Sequence, residues 1–294
     1  MSLHHPDLRL VGRLLPRGIP LTPRSLPWLR RGAAAHSRRS DDTMSVVQVG
    51  DRLARVHRPA ASGPRPALLW IHGGGYVLGS PAQDDQLCRA MSESLDLVVL
   101  APSYRLAPEH PFPAPLEDCY QALTWLARQP DVDPSRIAIG GASAGGGLAA
   151  ALALLARDRG EVPVAFQLLA YPMLDDRTVA RTDIDERGFR LWNNRCNAFG
   201  WGSYLGNAEV TGLAAAARAE DLAGLPPTWL GVGTQDLFFE ENQAYAERLR
   251  AAGVPCALDI VQGAFHGFDS VCPRAPVTHA FRAAQIEGLR SALS

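Results

Sequence analysis

The sequence contains no lysine, so all 29 of the basic residues in this 294-residue chain are arginine. A Walker phosphate-binding loop requires a lysine, and its absence excludes that class of nucleotide site. The chain also has no excess of positive or negative charge, since its formal net charge is −1. That balance provides no long-range field for nucleic acid or an anionic membrane, so we expect a small-molecule partner instead.

Cysteine is scarce and poorly spaced for metal binding. The five cysteines are scattered without a C-x-x-C pair: Cys88, Cys119, Cys196, Cys256 and Cys272. Neither a disulfide framework nor a metal site is predicted, and we expect a cytoplasmic location. The first 40 residues are rich in arginine and proline but lack the apolar core of a secretion signal. They resemble a structural cap segment more than an organellar transit peptide.

One uncharged run, residues 137–156, is long enough to span a membrane. Five glycines and a serine lie within residues 140–147, which is a poor composition for a spanning helix. A buried strand, a glycine turn and a buried helix would give the same hydropathy. We therefore predict that the chain has no membrane span.

Apolar, β-rich segments alternate with helical patterns along most of the chain. The strand candidates are 68–72, 97–101, 137–140, 165–171, 228–232 and 257–261. The helix candidates are 83–94, 114–128, 147–157, 240–252 and 277–293. This alternation predicts an α/β fold with a mostly parallel sheet and helices on both faces.

Three segments lie outside that alternation. Residues 46–49 and 53–57 flank Gly50-Asp51 and predict a hairpin at the edge of the sheet. Residues 1–45 and 175–225 show no clear strand period, and we expect both to fold over the sheet as a lid. A single domain with this embellishment suits the length of the chain.

The pentapeptide Gly141-Ala142-Ser143-Ala144-Gly145 matches G-x-S-x-G and lies between a strand candidate and a helix candidate. In that context the motif predicts a nucleophilic serine on a sharp, strained turn, with its hydroxyl exposed. The amide of Ala144 would lie at the helix N-terminus, where negative charge is favoured.

A phosphate-binding turn is the alternative, because residues 145–150 satisfy the dinucleotide pattern G-x-G-x-x-A. Two observations count against it. No acidic residue ends the next strand candidate, where 166–170 is uncharged, and the glycines come late in the turn. The nucleophile is favoured.

A second glycine motif, His72-Gly73-Gly74-Gly75, follows the strand candidate at 68–72. Successive glycines expose backbone N–H groups, as an oxyanion hole requires, and each such donor is worth about 3–4 kcal/mol in catalysis. A plain glycine turn would look the same in isolation, but its occurrence with the serine turn favours the oxyanion hole.

A serine nucleophile needs a histidine base and an orienting carboxylate, in the order Ser, acid, His for this fold. Only His266 and His279 lie beyond Ser143, and His279 falls within the last helix candidate. His266 follows a strand candidate and is the better base. The expected triad is Ser143, Asp236 and His266.

Asp236 follows the strand candidate 228–232, where α/β sheets place their sites. Its alternative role is to cap the next helix. Three other carboxylates are weaker rivals, because Asp259 lies within a strand candidate and Glu240 and Glu241 lie at the start of a helix candidate.

These motifs together resemble the hormone-sensitive-lipase-like esterases, a branch of the α/β-hydrolases. The resemblance covers about residues 65–270 and includes the His72 and Ser143 motifs, residues 104–114, and the loops of Asp236 and His266. It implies that Gly74, Gly75 and Ala144 donate to the oxyanion, and that short acyl esters are hydrolysed without a cofactor.

The resemblance also implies a division of the chain. Residues 1–45 would form the N-terminal part of a mainly helical cap, and 175–225 a cap insertion. Residues 46–174 and 226–294 would form the two parts of the α/β-hydrolase core. The chain differs from the usual sequence of the branch at Ala142, because most members have an acidic residue directly before the nucleophile.

The expected activity is that of a carboxylesterase acting on short- to medium-chain acyl esters through an acyl-enzyme. An amidase or lactonase would use the same triad, so the sequence leaves those alternatives open. A non-catalytic small-molecule receptor is a further alternative, which the presence of His266 disfavours. A homodimer is also a possible assembly.

Overall fold

A computed structural model of the chain describes residues 3–34, 44–60 and 63–294, and eight strands within those ranges form one sheet. They are β1 (Met44–Val49), β2 (Arg52–His57), β3 (Arg65–Ile71), β4 (Val98–Pro102), β5 (Val132–Ala142), β6 (Phe166–Ala170), β7 (Thr228–Gln235) and β8 (Cys256–Phe265). Their order in the sheet is β1-β2-β4-β3-β5-β6-β7-β8. The β1-β2 and β2-β4 pairings are antiparallel and all the others are parallel, so the predicted fold class is confirmed.

Helices cover the sheet in two groups. The α-helices are α1 (Arg9–Leu14), α2 (Leu26–Ala34), α3 (Asp85–Leu95), α4 (Ala114–Ala127), α5 (Ala144–Arg159), α6 (Asn194–Leu205), α7 (Phe239–Ala251), α8 (Phe268–Val271) and α9 (Pro276–Leu293). Helix α4 packs against α5, and α3 packs against α9. The core lies between these helices and the central strands β3, β4 and β6, whose residues are almost entirely buried.

All six strand candidates and the edge hairpin are present, and Val49 pairs with Arg52 across the predicted turn. The predicted ends of β7 and β8 were wrong, because both strands continue three or four residues further. Glycine and polar residues there give no apolar pattern, but Gln235 pairs with Phe265 and prolongs the ladder past a bulge. Asp236 and His266 therefore follow their strands directly.

The uncharged run 137–156 consists of the end of β5, a turn at Ser143 and most of α5. Residues 144–156 of α5 are all buried against the sheet, which explains their composition. In the described part of the chain, no helix has the length and apolar character needed to cross a membrane.

The two segments predicted to form a lid contain helices and turns. Residues 3–34 hold α1 and α2, whereas residues 1–2 and 35–43 lie outside the described part of the chain. Met44 and Ser45 already belong to β1. The insertion 175–225 contains α6 and short 3-10 turns but no strand. The division into cap and core, the homodimer and the cytoplasmic location stay predictions.

Candidate active site

Ser143 occupies the turn between β5 and α5. Its backbone has φ 57° and ψ −123°, a conformation that costs a residue with a side chain about 1–3 kcal/mol. The turn packs closely against the end of β3, and only glycine fits at position 145, since an added Cβ would lie 2.1 Å from the carbonyl oxygen of Ile71. The sequence thus places a serine in a strained, fixed position at the carboxyl end of the sheet.

His266 and Asp236 lie beside Ser143, at the carboxyl ends of β8 and β7. His266 Nε2 is 2.9 Å from Ser143 Oγ, and His266 Nδ1 is 2.8 Å from Asp236 Oδ2. All three residues are buried, so the predicted exposure of the Ser143 hydroxyl is wrong. A carboxylate oxygen only accepts, so Nδ1 donates its proton to Asp236 and Nε2 accepts from the serine hydroxyl. This arrangement prepares Ser143 to lose a proton.

Asp236 has a second contact that relates to its alternative role. Its Oδ1 accepts a hydrogen bond from the backbone N–H of Phe238 at 3.0 Å, one residue before α7 begins. One carboxylate oxygen therefore stabilises the turn into the helix while the other orients His266. The geometry is compatible with both roles that the sequence suggests for Asp236.

The glycine motif after β3 lies directly beside the serine turn. A Cβ added at Gly73 would be 3.3 Å from the Cβ of Ser143. Gly75 has φ +59°, and a Cβ there would lie 2.1 Å from Trp192 Cη2. The motif therefore has no room for side chains at these positions. The backbone of the motif lies on one side of Ser143. On the other side is the backbone N–H of Ala144, the first of α5, which has no acceptor within the helix.

His72 fixes the start of this glycine motif. Its ring stacks on Tyr104 at a centroid distance of 4.3 Å, and the Tyr104 hydroxyl donates to the His72 carbonyl at 2.9 Å. Burial lowers the pKa of His72 to about 4. The ring therefore stays neutral near pH 7 and can position the motif without adding charge beside the nucleophile.

Three aromatic residues surround His266, and none of them was predicted as a site residue. Their ring centroids lie 5.0 Å (Tyr171), 5.2 Å (Phe238) and 6.3 Å (Trp192) from that of His266. Trp192 also contacts Gly75, so its ring is close to both His266 and the glycine motif. For Trp192, the only signal in the sequence was that residues 175–225 contain several aromatics, whereas Tyr171 and Phe238 lie outside that segment.

Two acidic residues line a small cavity beside Ala142, the residue before Ser143. Ala142 borders a cavity of about 80 Å³ together with Asp84, Tyr171 and Asp269. The Tyr171 hydroxyl donates to Asp269 Oδ1 at 2.6 Å, and the indole N–H of Trp70 donates to Asp84 Oδ2 at 3.0 Å. Burial, with a smaller contribution from Asp269, raises the pKa of Asp84 to about 7.

The rival residues have other contacts. Glu241 is buried and accepts from the backbone N–H of Leu174 at 2.8 Å and of Asp175 at 3.2 Å. Glu240 pairs with Arg181 at the surface, Asp259 lies within β8, and His279 is exposed on α9. In the described ranges, no group of three or more His, Cys, Asp or Glu residues is arranged to hold a metal ion.

The segment that carries Trp192 is attached to the N-terminal segment. The backbone N–H of Leu191 donates to the Pro16 carbonyl at 2.9 Å, and the N–H of Ile19 donates to the Leu191 carbonyl at 3.1 Å. Arg190 Nε donates to the carbonyl of Gly12. Leu191 has φ +67°, which is unfavourable for a residue with a side chain. These contacts hold Trp192 over the glycine motif and His266.

Comparison with known proteins identifies relatives over most of the chain. Residues 68–270 match the model of a protein family that is described as having the alpha/beta hydrolase fold. Esterase LipI of Mycobacterium tuberculosis is 39% identical over 211 residues, which are 69% of this chain and 65% of LipI. The chain thus spans slightly less than two thirds of that relative.

Two further proteins match over more of their length. Carboxylesterase NlhH of Mycobacterium tuberculosis is 34% identical over 268 residues, covering 88% of this chain and 81% of NlhH. A solved structure described as a bacterial heroin esterase has a TM-score of 0.89 and 36% identity, and the match covers 99% of this chain and 98% of that one.

Proposed function

Because the chain belongs to the α/β-hydrolase fold family, in its hormone-sensitive-lipase-like branch, we propose that it is a carboxylesterase for short- to medium-chain acyl esters. Ser143 is the nucleophile, His266 the general base and Asp236 the orienting acid. The observation that carries this proposal is the pair of contacts at 2.9 Å and 2.8 Å that joins these three side chains. The names of LipI, NlhH and the heroin esterase support an ester as substrate.

In the first step, Ser143 Oγ bonds to the ester carbonyl carbon while its proton passes to His266 Nε2. The carbonyl π electrons move to the oxygen, giving a tetrahedral oxyanion. Asp236 keeps Nδ1 protonated and stabilises the imidazolium that forms. Burial of the pair strengthens that stabilisation, because the charges interact in a medium of low dielectric constant.

The oxyanion is stabilised by the backbone N–H groups of Gly74, Gly75 and Ala144. What supports this role is their position beside Ser143 and the glycine backbone that leaves the N–H groups unshielded. The α5 dipole adds to the stabilisation at Ala144. Losing a donor of this kind costs about 3–4 kcal/mol of transition-state stabilisation.

Collapse of the intermediate breaks the bond to the alcohol, which leaves with the proton from His266. The acyl group remains on Ser143. A water molecule then attacks the acyl carbon as His266 removes its proton, and the second tetrahedral intermediate releases the carboxylic acid. Ser143 recovers its proton from His266.

A preference for short acyl chains agrees with the aromatic residues around the nucleophile. Trp192 occupies the space between Gly75 and His266, and Phe238 and Tyr171 pack against other sides of the imidazole. Three bulky rings thus lie close to the histidine that contacts Ser143. Palmitoyl esters should therefore be poorer substrates than butyryl esters.

The test is hydrolysis of nitrophenyl acetate, butyrate, octanoate and palmitate by wild type and Ser143→Ala. Ser94→Ala, on the exposed side of α3, is the matched control. We expect Ser143→Ala to lower turnover about a millionfold and Ser94→Ala to leave it unchanged. Circular dichroism should show that both variants fold.

Two results would contradict the proposal. Folded wild-type protein that hydrolyses none of the four esters would exclude the esterase, and Ser143→Ala with activity equal to that of Ser94→Ala would exclude Ser143 as nucleophile.

A further inference from the structure

The net charge of −1 conceals an uneven distribution of charge. Residues 3–34 contain six arginines and one acidic residue, Asp7, so this segment carries a formal charge of +5 while the rest of the chain is negative. The overall charge predicted no anionic partner because it averages these two regions. Arg30 pairs with Glu109 outside the segment, which leaves five arginines and one acidic residue in residues 3–34 to attract an anionic partner.

Large apolar side chains are exposed in the same segment. Leu10 and Leu14, one turn apart on α1, are 71% and 78% exposed, and Trp28 on α2 is 71% exposed. Val11 of α1 and Leu15, directly after the helix, are partly buried against the core instead. Helix α1 therefore presents apolar side chains to solvent as well as to the protein, and folding gains nothing from the exposed ones.

Five arginines accompany these side chains at the surface: Arg9, Arg13, Arg17, Arg24 and Arg31. Within the part of the chain that the structure describes, none of the five lies within 4.0 Å of an Asp or Glu carboxylate. Arg31 lies over the Trp28 ring at 4.9 Å. These guanidinium groups are available for anions outside the protein.

We propose that the exposed face of α1, formed by Leu10 and Leu14 with the adjacent Arg9, Arg13 and Arg17, binds an anionic lipid surface. Exposed leucines flanked by arginines match the boundary of a bilayer, where apolar side chains enter the acyl region and cations contact the headgroups. A nucleic acid would use the arginines but would leave Leu10 and Leu14 in water.

The position of this surface has a consequence for substrate access. That consequence rests on the proposed function, whereas the lipid contact itself does not. The loop after α1 is hydrogen-bonded to Leu191, next to Trp192, which contacts His266. A lipid surface bound at α1 would thus lie near the segment that covers the candidate active site. Esters dissolved in that surface would be concentrated there.

The experiment is flotation of the full chain with vesicles of phosphatidylcholine, alone or mixed with phosphatidylglycerol. One variant is the triple substitution Arg9→Ser, Arg13→Ser, Arg17→Ser. The other is Leu10→Ser with Leu14→Ser, whose control is Leu53→Ser, because Leu53 is 59% exposed on β2. Circular dichroism verifies folding.

We expect wild type and Leu53→Ser to float only with the anionic vesicles. The triple arginine variant should bind them about a hundredfold more weakly, and the double leucine variant at least tenfold more weakly. Equal binding to both vesicle types, or double leucine and Leu53 variants that bind alike, would overturn the proposal. So would wild type that binds duplex DNA but no vesicle.

Discussion

Replacing Asp236 by Asn separates the two roles of this side chain. In the folded protein Oδ2 accepts from His266 Nδ1 at 2.8 Å, and Oδ1 accepts from the Phe238 N–H at 3.0 Å. An asparagine can keep the second hydrogen bond through its own Oδ1. Its NH₂ group would then face Nδ1 and favour the tautomer in which Nε2 carries the proton. That imidazole cannot accept the proton of Ser143.

The expected loss in turnover is about 10⁴-fold, as the wrong tautomer causes in serine proteases. At 1.36 kcal/mol per factor of ten, this loss corresponds to about 5.4 kcal/mol of transition-state stabilisation. The free energy of unfolding should change by less than about 1 kcal/mol, since the contact with Phe238 persists. A large kinetic effect with a small stability effect is therefore the signature of an orienting acid.

The assay is turnover of nitrophenyl butyrate together with urea unfolding, for wild type, Asp236→Asn and Asp236→Ala. If Asp236 only stabilised the turn into α7, Asp236→Ala would lose about 0.5–2 kcal/mol of stability. Both variants would then keep nearly full turnover. That outcome would refute the role of Asp236 as the orienting acid.

Two further predictions concern buried carboxyl groups. Ala142→Asp would add a third carboxyl beside Asp84 and Asp269. At pH 8 we expect its free energy of unfolding to be about 1–3 kcal/mol lower than that of the isosteric Ala142→Asn, and the difference should be smaller at pH 5. Equal stability of the two variants in urea at pH 8 would contradict this. Burial raises the pKa of Glu241 to about 8. The protonated carboxyl therefore contributes to the free energy of unfolding fully below its unfolded pKa near 4.5, and this contribution is lost as the pH rises through 8. Between pH 6 and 9, wild type should lose about 1–3 kcal/mol more stability than Glu241→Gln, and parallel pH profiles in urea unfolding would argue against the shifted pKa.

The fold was predictable because its signals are local and repeated. Buried parallel strands appear as short apolar runs, and the glycine-flanked Ser143 requires a strand before it and a helix after it. The ends of β7 and β8 were not predictable in the same way. Pairing between Gln235 and Phe265 prolongs both strands, and such pairing leaves no periodicity in either segment.

The candidate site shows the same division between local and distant information. Ser143, Asp236 and His266 each follow a recognisable strand, and the structure brings all three together. Trp192 contacts both Gly75 and His266, but this position depends on how residues 189–193 attach to the N-terminal segment. No pattern near Trp192 in the sequence indicates that attachment.

The separation of the three side chains along the chain has a consequence for folding. Ser143 and His266 are 123 residues apart, and the strands that carry them, β5 and β8, are joined in the sheet only through β6 and β7. Closing such long loops is entropically costly, and parallel pairing of distant segments is slow. During refolding, hydrolytic activity should therefore return only with the last strand, β8, and should lag behind the recovery of helical circular dichroism.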